Sequence, residues 1–114
     1  MANATGVDIS VWQDQNSTPQ MYDPNKTRAK GGSFVGIKAT QANWVDPDFI
    51  MNWNNCKGKL YEMPYHFLTW DVPASRQAEV FWSVLEKNLH NGVLPTYLVW
   101  ALLGMIGLFL FLSK

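Results

Sequence analysis

Gly6-Val7-Asp8-Ile9-Ser10-Val11-Trp12 is the segment from which the fold can be predicted. Its three β-branched residues indicate a short buried β-strand over residues 6–12. Asp8 places one carboxylate inside this apolar strand, and a buried charge is costly unless it is paired or used in chemistry. Asp8 is therefore the first candidate functional residue.

Two later segments repeat this pattern of an apolar strand that carries a polar residue near its C-terminal end. Residues 33–40 place Lys38 in an apolar run, and residues 61–68 contain Tyr65-His66-Phe67. Helix-like segments separate the predicted strands, and this alternation is typical of a parallel βα array. In such arrays chemistry gathers at the C-terminal ends of the strands. We therefore expect the polar residues to lie at one edge of the sheet.

Three helices are predicted from capping and breaking residues. Asp23-Pro24 and Asp46-Pro47 each match an N-cap followed by a proline at the first helical position, and Asp71 to Pro73 opens the third helix. Apolar side chains at helical spacing indicate the buried face of the second and third helices. These are Phe49, Ile50, Trp53 and Cys56 in the second helix, and Ala74, Ala78, Phe81, Trp82 and Leu85 in the third. Residues 93–98 would begin a fourth strand.

Length and composition restrict the class of protein. A chain of 114 residues forms at most one domain. Nine basic and nine acidic residues leave no net charge, so nothing favours a nucleic-acid partner. The single cysteine, Cys56, excludes an internal disulfide, and with His66 and His90 it gives no metal-site spacing. We expect no metal and no cofactor.

Six short motifs follow one another in a fixed order. They are Gly6-Val7-Asp8-Ile9-Ser10, Phe34-Val35-Gly36-Ile37-Lys38-Ala39-Thr40-Gln41, Asp48-Phe49 followed by Asn52, Tyr65-His66-Phe67, Gln77-Ala78, and Leu94-Pro95. In this order they resemble family 25 glycoside hydrolases, the Chalaropsis-type lysozymes of bacteriophages and bacteria. The resemblance extends over about residues 5–98.

The resemblance implies an α/β fold and a peptidoglycan partner. The family folds as a modified βα-barrel and cleaves the bond between N-acetylmuramic acid and N-acetylglucosamine. Since an eight-stranded barrel needs roughly 250 residues, we expect a truncated barrel-like parallel sheet of about four strands and three helices over residues 1–98. Asp8 matches the family's active-site aspartate, and Tyr65 matches the tyrosine of the third-strand motif.

One departure from the family concerns the proton donor. After the Leu-Pro of the fourth strand the family has Asp-x-Glu, whereas this chain has Val99-Trp100-Ala101. Glycoside hydrolysis needs one carboxylic acid to protonate the leaving oxygen and a second carboxylate at the anomeric centre. Valine and alanine supply neither group. We therefore expect muramidase activity to be absent or very low.

The other candidate residues each have two interpretations. Lys38 could bind substrate or form a structural ion pair with a carboxylate at the mouth of the array, and His66 is better explained as a hydrogen-bonded core residue. Trp12, Trp44 and Trp70 follow the strand ends, where they could stack on sugar rings or pack against loops. Trp53 and Trp82 lie on apolar helix faces and are predicted to be core residues.

The C-terminal segment differs in character from the rest of the chain. Residues 93–112 contain no charged side chain, and about twenty apolar residues suffice for a membrane-spanning helix. We therefore predict that an apolar segment, residues 99–114, forms a hydrophobic C-terminal helix that attaches the chain to a membrane. A soluble strand followed by a core helix, or a frameshift after Leu98, are the alternatives. The N-terminus lacks a charged n-region and an apolar h-region, so we expect no signal peptide and otherwise a cytoplasmic location until lysis.

Three functional hypotheses follow from these observations. The first is a truncated, inactive lysozyme, and the second is a membrane-tethered module that binds peptidoglycan without cleaving it. The third is a non-functional fragment whose open sheet edge favours aggregation.

Overall fold

The computed structural model describes residues 4–13 and 22–90. The chain divides into two compact units, Met1–Phe81 and Trp82–Lys114. The first unit holds the sheet, two helices and the start of the third. In the second unit the described residues are the last turns of that third helix, where the Asn88 amide nitrogen donates a hydrogen bond to Val84 O at 2.7 Å.

Four strands and three α-helices alternate along the described residues. The strands are β1 (Gly6–Ile9), β2 (Phe34–Gln41), β3 (Trp44–Val45) and β4 (Tyr61–Phe67). The helices are α1 (Pro24–Ala29), α2 (Phe49–Cys56) and α3 (Ala74–His90), and a short 3₁₀ helix spans Val11–Gln13. The structure therefore confirms the α/β class with four strands and three helices, but the sheet is mixed, because β3 is antiparallel, whereas a parallel sheet was predicted.

Strand β2 is the centre of the sheet. It pairs in parallel with β1 and with β4, and β3 folds back antiparallel onto its C-terminal end. Ser33 N donates to Thr5 O at 2.8 Å and Tyr61 N donates to Ser33 O at 3.0 Å, which aligns the amino ends of the three parallel strands. The register of β2 against β4 shifts between Lys38 and Thr40. This irregularity lies where the strands reach their carboxyl ends, and such bulges redirect side chains.

Much of the core lies between β2 and α2. Val35, Ile37 and Ala39 of β2 are fully buried, and α2 packs against this strand with Phe49 and Trp53. The rings of Phe49 and Trp53 have centroids 5.8 Å apart and are tilted by 52°, a geometry that aromatic pairs favour. The prediction that Trp53 is a core residue is confirmed.

Helix α1 begins as its sequence predicts. The Asp23 carboxylate accepts a hydrogen bond from Asn25 N at 3.0 Å, and Pro24 occupies the first helical position. The helix stops before Gly31, whose φ of 90° is a conformation that favours glycine.

Several element boundaries and faces differ from the prediction. Strand β1 ends at Ile9, so Trp12 lies in the 3₁₀ helix rather than in a strand. Helix α2 begins at Phe49 and not after Asp46, because the Asp46 carboxylate is used elsewhere, as described below. The hairpin that forms β3 was not predicted, and the fourth strand predicted at residues 93–98 lies outside the described residues.

The predicted helix faces were wrong in part. On α2, Ile50 is exposed and Asn52 is buried. On α3, Ala74 and Ala78 are exposed whereas Gln77 is buried, and Trp82 is half-buried. Periodicity counts apolar residues, and it therefore misses a polar side chain that is buried because its hydrogen bonds are satisfied.

None of the helices among residues 4–13 and 22–90 is long and apolar enough to cross a membrane. The predicted hydrophobic C-terminal helix, and the predicted boundary between residues 98 and 99, lie outside these ranges.

Candidate functional site

Three sequence-predicted residues meet on one face of the sheet. Asp8 of β1 pairs with Gly36 of β2, and Lys38 of β2 pairs with Tyr65 of β4. Side chains two residues apart on a strand point to the same side, so Gly36 and Lys38 share a face. This face, toward the carboxyl ends of the strands, is the candidate site.

Asp8 is exposed, which corrects the prediction of a buried carboxylate in a buried strand. β1 has β2 on one side, and among the described residues no strand pairs with its other edge. Only Ile9 of the strand is buried. The carboxylate of Asp8 is therefore accessible from solvent and available to a ligand.

Tyr65 is the nearest partner of Asp8. Its hydroxyl donates a hydrogen bond to Asp8 Oδ2 at 3.4 Å, across the central strand. Burial, then the charge of Asp8 and this hydrogen bond, with a smaller effect of Asp46, raise the pKa of Tyr65 to about 12. The phenol therefore remains protonated at neutral pH and acts as a hydrogen-bond donor.

Gly36 lies beside this pair, and a methyl group at this position would be in ordinary van der Waals contact with both residues. A Cβ at this position would lie 3.5 Å from the Tyr65 ring and 3.6 Å from the Asp8 Cβ. A recess of about 280 Å³ opens beside the pair, bordered by Gly6, Phe34, Met63 and Pro64 as well. A ligand group that enters this recess would contact both the carboxylate and the phenol.

Lys38 has a different environment from Asp8. It is 2% exposed, and its Nζ lies 3.6 Å from Asp46 Oδ2 and donates a hydrogen bond to Gln41 Oε1 at 2.8 Å. These contacts favour the structural ion-pair interpretation of Lys38. Direct substrate binding by Lys38 stays an untested prediction.

Asp46 is the buried residue that sequence reasoning missed. Its Oδ2 accepts a hydrogen bond from Val11 N at 3.0 Å and its Oδ1 accepts one from Asp48 N at 2.8 Å. It therefore ties the segment after β1 and the start of α2 to the centre of β2. The signal in the sequence is the Asp46-Pro47 pair, which predicts a helix cap. Asp46 does accept a hydrogen bond from a backbone N–H two residues later, at Asp48, but the helix itself begins at Phe49.

Two tryptophans surround the Lys38 ammonium. The Trp44 ring centroid lies 4.8 Å from Nζ and the Trp12 centroid lies 5.6 Å from it, within the range of cation–π attraction. Trp12 is 63% exposed and Trp44 is half-buried. Both rings thus lie near the buried cation, and Trp12 also presents an exposed surface.

Trp70 follows β4 and is 99% exposed. The described residues give it no ring contact and no hydrogen bond through its side chain. A fully exposed indole is unusual for a residue that gains from burial. Of the three predicted tryptophans, Trp70 has the largest surface available for a ligand.

Both ring nitrogens of His66 have hydrogen-bond partners, as predicted, but the residue is half-buried and is not part of the core. Its Nδ1 lies 2.7 Å from Thr40 Oγ1 and its Nε2 lies 2.7 Å from Gln77 Oε1. The Gln77 amide nitrogen donates to Thr69 O and Val72 O, so its oxygen must be the acceptor for His66. A neutral imidazole is therefore protonated on Nε2 and accepts from Thr40 on Nδ1.

The described residues contain no group of three or more histidine, cysteine or acidic side chains placed to hold a metal ion. The chemical groups at the mouth are one exposed carboxylate, one protonated phenol and three aromatic surfaces. This set can accept and donate hydrogen bonds and stack on flat or pyranose rings.

Three solved structures are similar to this chain. A family 25 glycosyl hydrolase from Bacillus anthracis is 31% identical with a TM-score of 0.58, over 69% of this chain and 35% of its own. A muramidase from Trichobolus zukalii is 28% identical with a TM-score of 0.56, and a muramidase from Acremonium alcalophilum is 27% identical with a TM-score of 0.58. Each of these two matches covers 71% of this chain and 38% of the muramidase.

The chain thus spans somewhat more than a third of the length of these solved structures. No protein-family model and no curated protein sequence matches it. The similarity in fold, at 27–31% identity, agrees with the order of motifs in the sequence. The described part of this chain therefore has a partial family 25 glycoside hydrolase fold, with Asp8 and Tyr65 on the open face of its sheet.

Proposed function

We propose that this chain is a lysozyme-like protein that recognises the glycan strands of peptidoglycan and, by itself, does not cleave them. The observation that carries the proposal is the Asp8–Tyr65 pair at the open recess of a partial family 25 fold. The muramidases among the similar structures support the choice of peptidoglycan as the ligand.

The chemistry of the site supports binding more than hydrolysis. Glycoside cleavage needs a proton donor as well as a carboxylate that stabilises or attacks the anomeric centre. Asp8 can fill the second role. Asp46, the other carboxylate whose charge reaches Tyr65, is buried against Lys38 and both of its oxygens already accept backbone hydrogen bonds, so it is not available to a ligand. The expected donor position carries Ala101.

Tyr65 does not replace the missing acid. Its pKa is raised to about 12, mainly by burial, and an acid this weak transfers a proton poorly at neutral pH. Its hydroxyl is suited to donating a hydrogen bond to a sugar oxygen. Trp12 and Trp70 supply exposed rings on which a pyranose ring can stack.

An activity assay tests the absence of cleavage. The chain is incubated with purified peptidoglycan, and new reducing ends are measured beside a full-length family 25 muramidase as the positive control. We expect no release above the background without enzyme. Release at a rate near that of the control, lost in an Asp8→Asn variant, would overturn the proposal and establish a muramidase.

A sedimentation assay tests glycan binding. We expect weak binding, with a Kd in the millimolar range or roughly 4 kcal/mol, and a several-fold loss in Trp12→Ala and Trp70→Ala variants. Tyr61→Ala is the matched control, because Tyr61 is also an exposed aromatic residue but lies at the opposite end of β4. An equal loss of affinity in all three variants would mean that peptidoglycan adheres to any exposed aromatic side chain and that Trp12 and Trp70 do not form a specific site.

A second function, a module tethered to a membrane, rests on residues 93–112. This second proposal concerns the location of the chain and not its chemistry, since the recess beside Asp8 and Tyr65 would bind the glycan whether or not the chain is attached to a membrane.

A further inference from the structure

The amino ends of the strands carry a cluster of positive charge that the proposed function does not use. Lys26, Arg28 and Lys30 lie on α1 and just after it, and Lys57 and Lys59 follow α2. Residues 23–33 and 57–62 contain these five cations and two acidic residues, Asp23 and Glu62. The chain as a whole is neutral, so its positive charge is concentrated at this edge.

Two recesses lie among these cations. One, of about 270 Å³, is bordered by Lys26, Thr27 and Lys30, and the other, of about 350 Å³, is bordered by Arg28, Ser33 and Lys59. Gly32 borders both recesses. They are therefore neighbours, and we call the surface that holds both recesses, with the four cations that border them, the basic groove.

The cations of the basic groove are available for a ligand. All four are exposed. Within the described part of the chain none of them lies within salt-bridge distance of a carboxylate; the two ion pairs there are Lys38–Asp46 and Arg76–Glu79. Unpaired cations that share a concave surface repel one another, and an anion placed between them relieves that repulsion.

We propose that the basic groove binds a linear polymer that carries repeated phosphate groups. Lysine and arginine are the usual phosphate-binding side chains, and two adjoining recesses can take successive phosphates of one strand. The groove lies at the amino ends of the strands, whereas Asp8 and Tyr65 lie toward the carboxyl ends. The first recess of the groove shares Gly6 and Val7 with the recess beside Asp8 and Tyr65, so a phosphate polymer and a glycan strand would occupy adjoining sites.

The shape of the groove favours a polymer over a lipid bilayer. A bilayer contacts residues that protrude together with apolar anchors, whereas these cations border recesses that a narrow strand can enter. The apolar lining of the second recess includes Leu60, which is buried.

Fluorescence anisotropy with labelled linear polyphosphate tests the proposal. We expect binding whose affinity falls roughly 50-fold between about 50 and about 200 mM NaCl, as for about four neutralised phosphates. Lys26→Gln/Lys30→Gln and Arg28→Gln/Lys59→Gln should each weaken binding about 30-fold. These residues are exposed, so circular dichroism should show unchanged folding.

The matched control is Arg76→Gln/Lys87→Gln on α3, which removes the same charge outside the groove. It should change the affinity by less than about twofold. An equal loss in the control would show that net charge, not the groove, determines binding. Equal affinity for polyglutamate, or binding to anionic phospholipid vesicles without binding to polyphosphate, would also overturn the proposal.

Discussion

Glu62, on β4, is a residue whose ionisation is changed by the fold. Burial raises its pKa to about 7, and the positive charge of Lys57 opposes that shift only in part. Its Oε2 is buried with no hydrogen-bond partner among the described residues. The neighbouring Cys56 is also buried, and this burial, followed by the charge of Glu62, raises the pKa of the Cys56 thiol to about 11. The charged form of Glu62 is therefore unfavourable in the folded chain.

This pKa predicts a pH-dependent stability. The unfolded carboxyl titrates near 4.5 and the folded one near 7, so between these pH values the folded state binds more protons. The free energy of unfolding should therefore fall as the pH rises through this window. After discounting for solvent screening, we expect a loss on the order of 1–2 kcal/mol. Urea unfolding at several pH values measures it.

A Glu62→Gln variant should flatten this pH dependence, because the amide does not ionise. Glu79→Gln serves as the control, since Glu79 is exposed and paired with Arg76 at 3.2 Å. It removes the same charge and should keep the wild-type slope. An unchanged slope in Glu62→Gln would assign the pH dependence to another group.

At the scale of elements, the Lys38–Asp46 pair joins three segments: β2, the chain after β1 and the chain before α2. Asp46 contacts Lys38 of β2, Val11 after β1 and Asp48 before α2. Both side chains are almost completely buried. Removing one partner leaves the other charge buried and uncompensated, which costs about 3–5 kcal/mol.

We therefore expect Lys38→Met to lower the free energy of unfolding by about 3–5 kcal/mol in urea denaturation. Lys38→Met/Asp46→Asn should regain at least about 1 kcal/mol of that loss, because no unpaired charge remains. Arg76→Met, which breaks an exposed pair, should cost less than about 1 kcal/mol. If Lys38→Met cost no more than Arg76→Met, the buried pair would not hold these elements together.

For the whole molecule, the open question with the largest consequence is the location of the chain. We expect the full chain, expressed in bacteria, to sediment with membranes and to resist extraction by high salt, since residues 93–112 are apolar rather than basic. A chain that ends at Leu94 should leave the membrane fraction. Recovery of the full chain as a monomer without detergent would contradict the membrane prediction.

Local patterns in the sequence determined the arrangement of the described elements. The apolar runs of β2 and β4, the Asp23-Pro24 cap and the glycines after α1 each depend on neighbouring residues, and the structure agrees with them. The order of motifs also led to the family 25 fold. These features were predictable because strand, cap and turn preferences act over a few residues.

Only the tertiary structure decided the exposure and partners of the site residues. Asp8 is exposed because, among the described residues, β1 pairs with a strand on one side only. Lys38 is paired because the chain after β3 brings the Asp46 carboxylate to 3.6 Å from its Nζ. Gln77 is buried because it bonds His66 and two carbonyls across 5–11 residues. Whether a polar side chain is exposed, paired or buried depends on groups distant in sequence. The free energy of a polar side chain in the folded protein depends on the cost of removing it from water and on the hydrogen bonds and ion pairs that it gains. Those contacts exist only after the chain has folded.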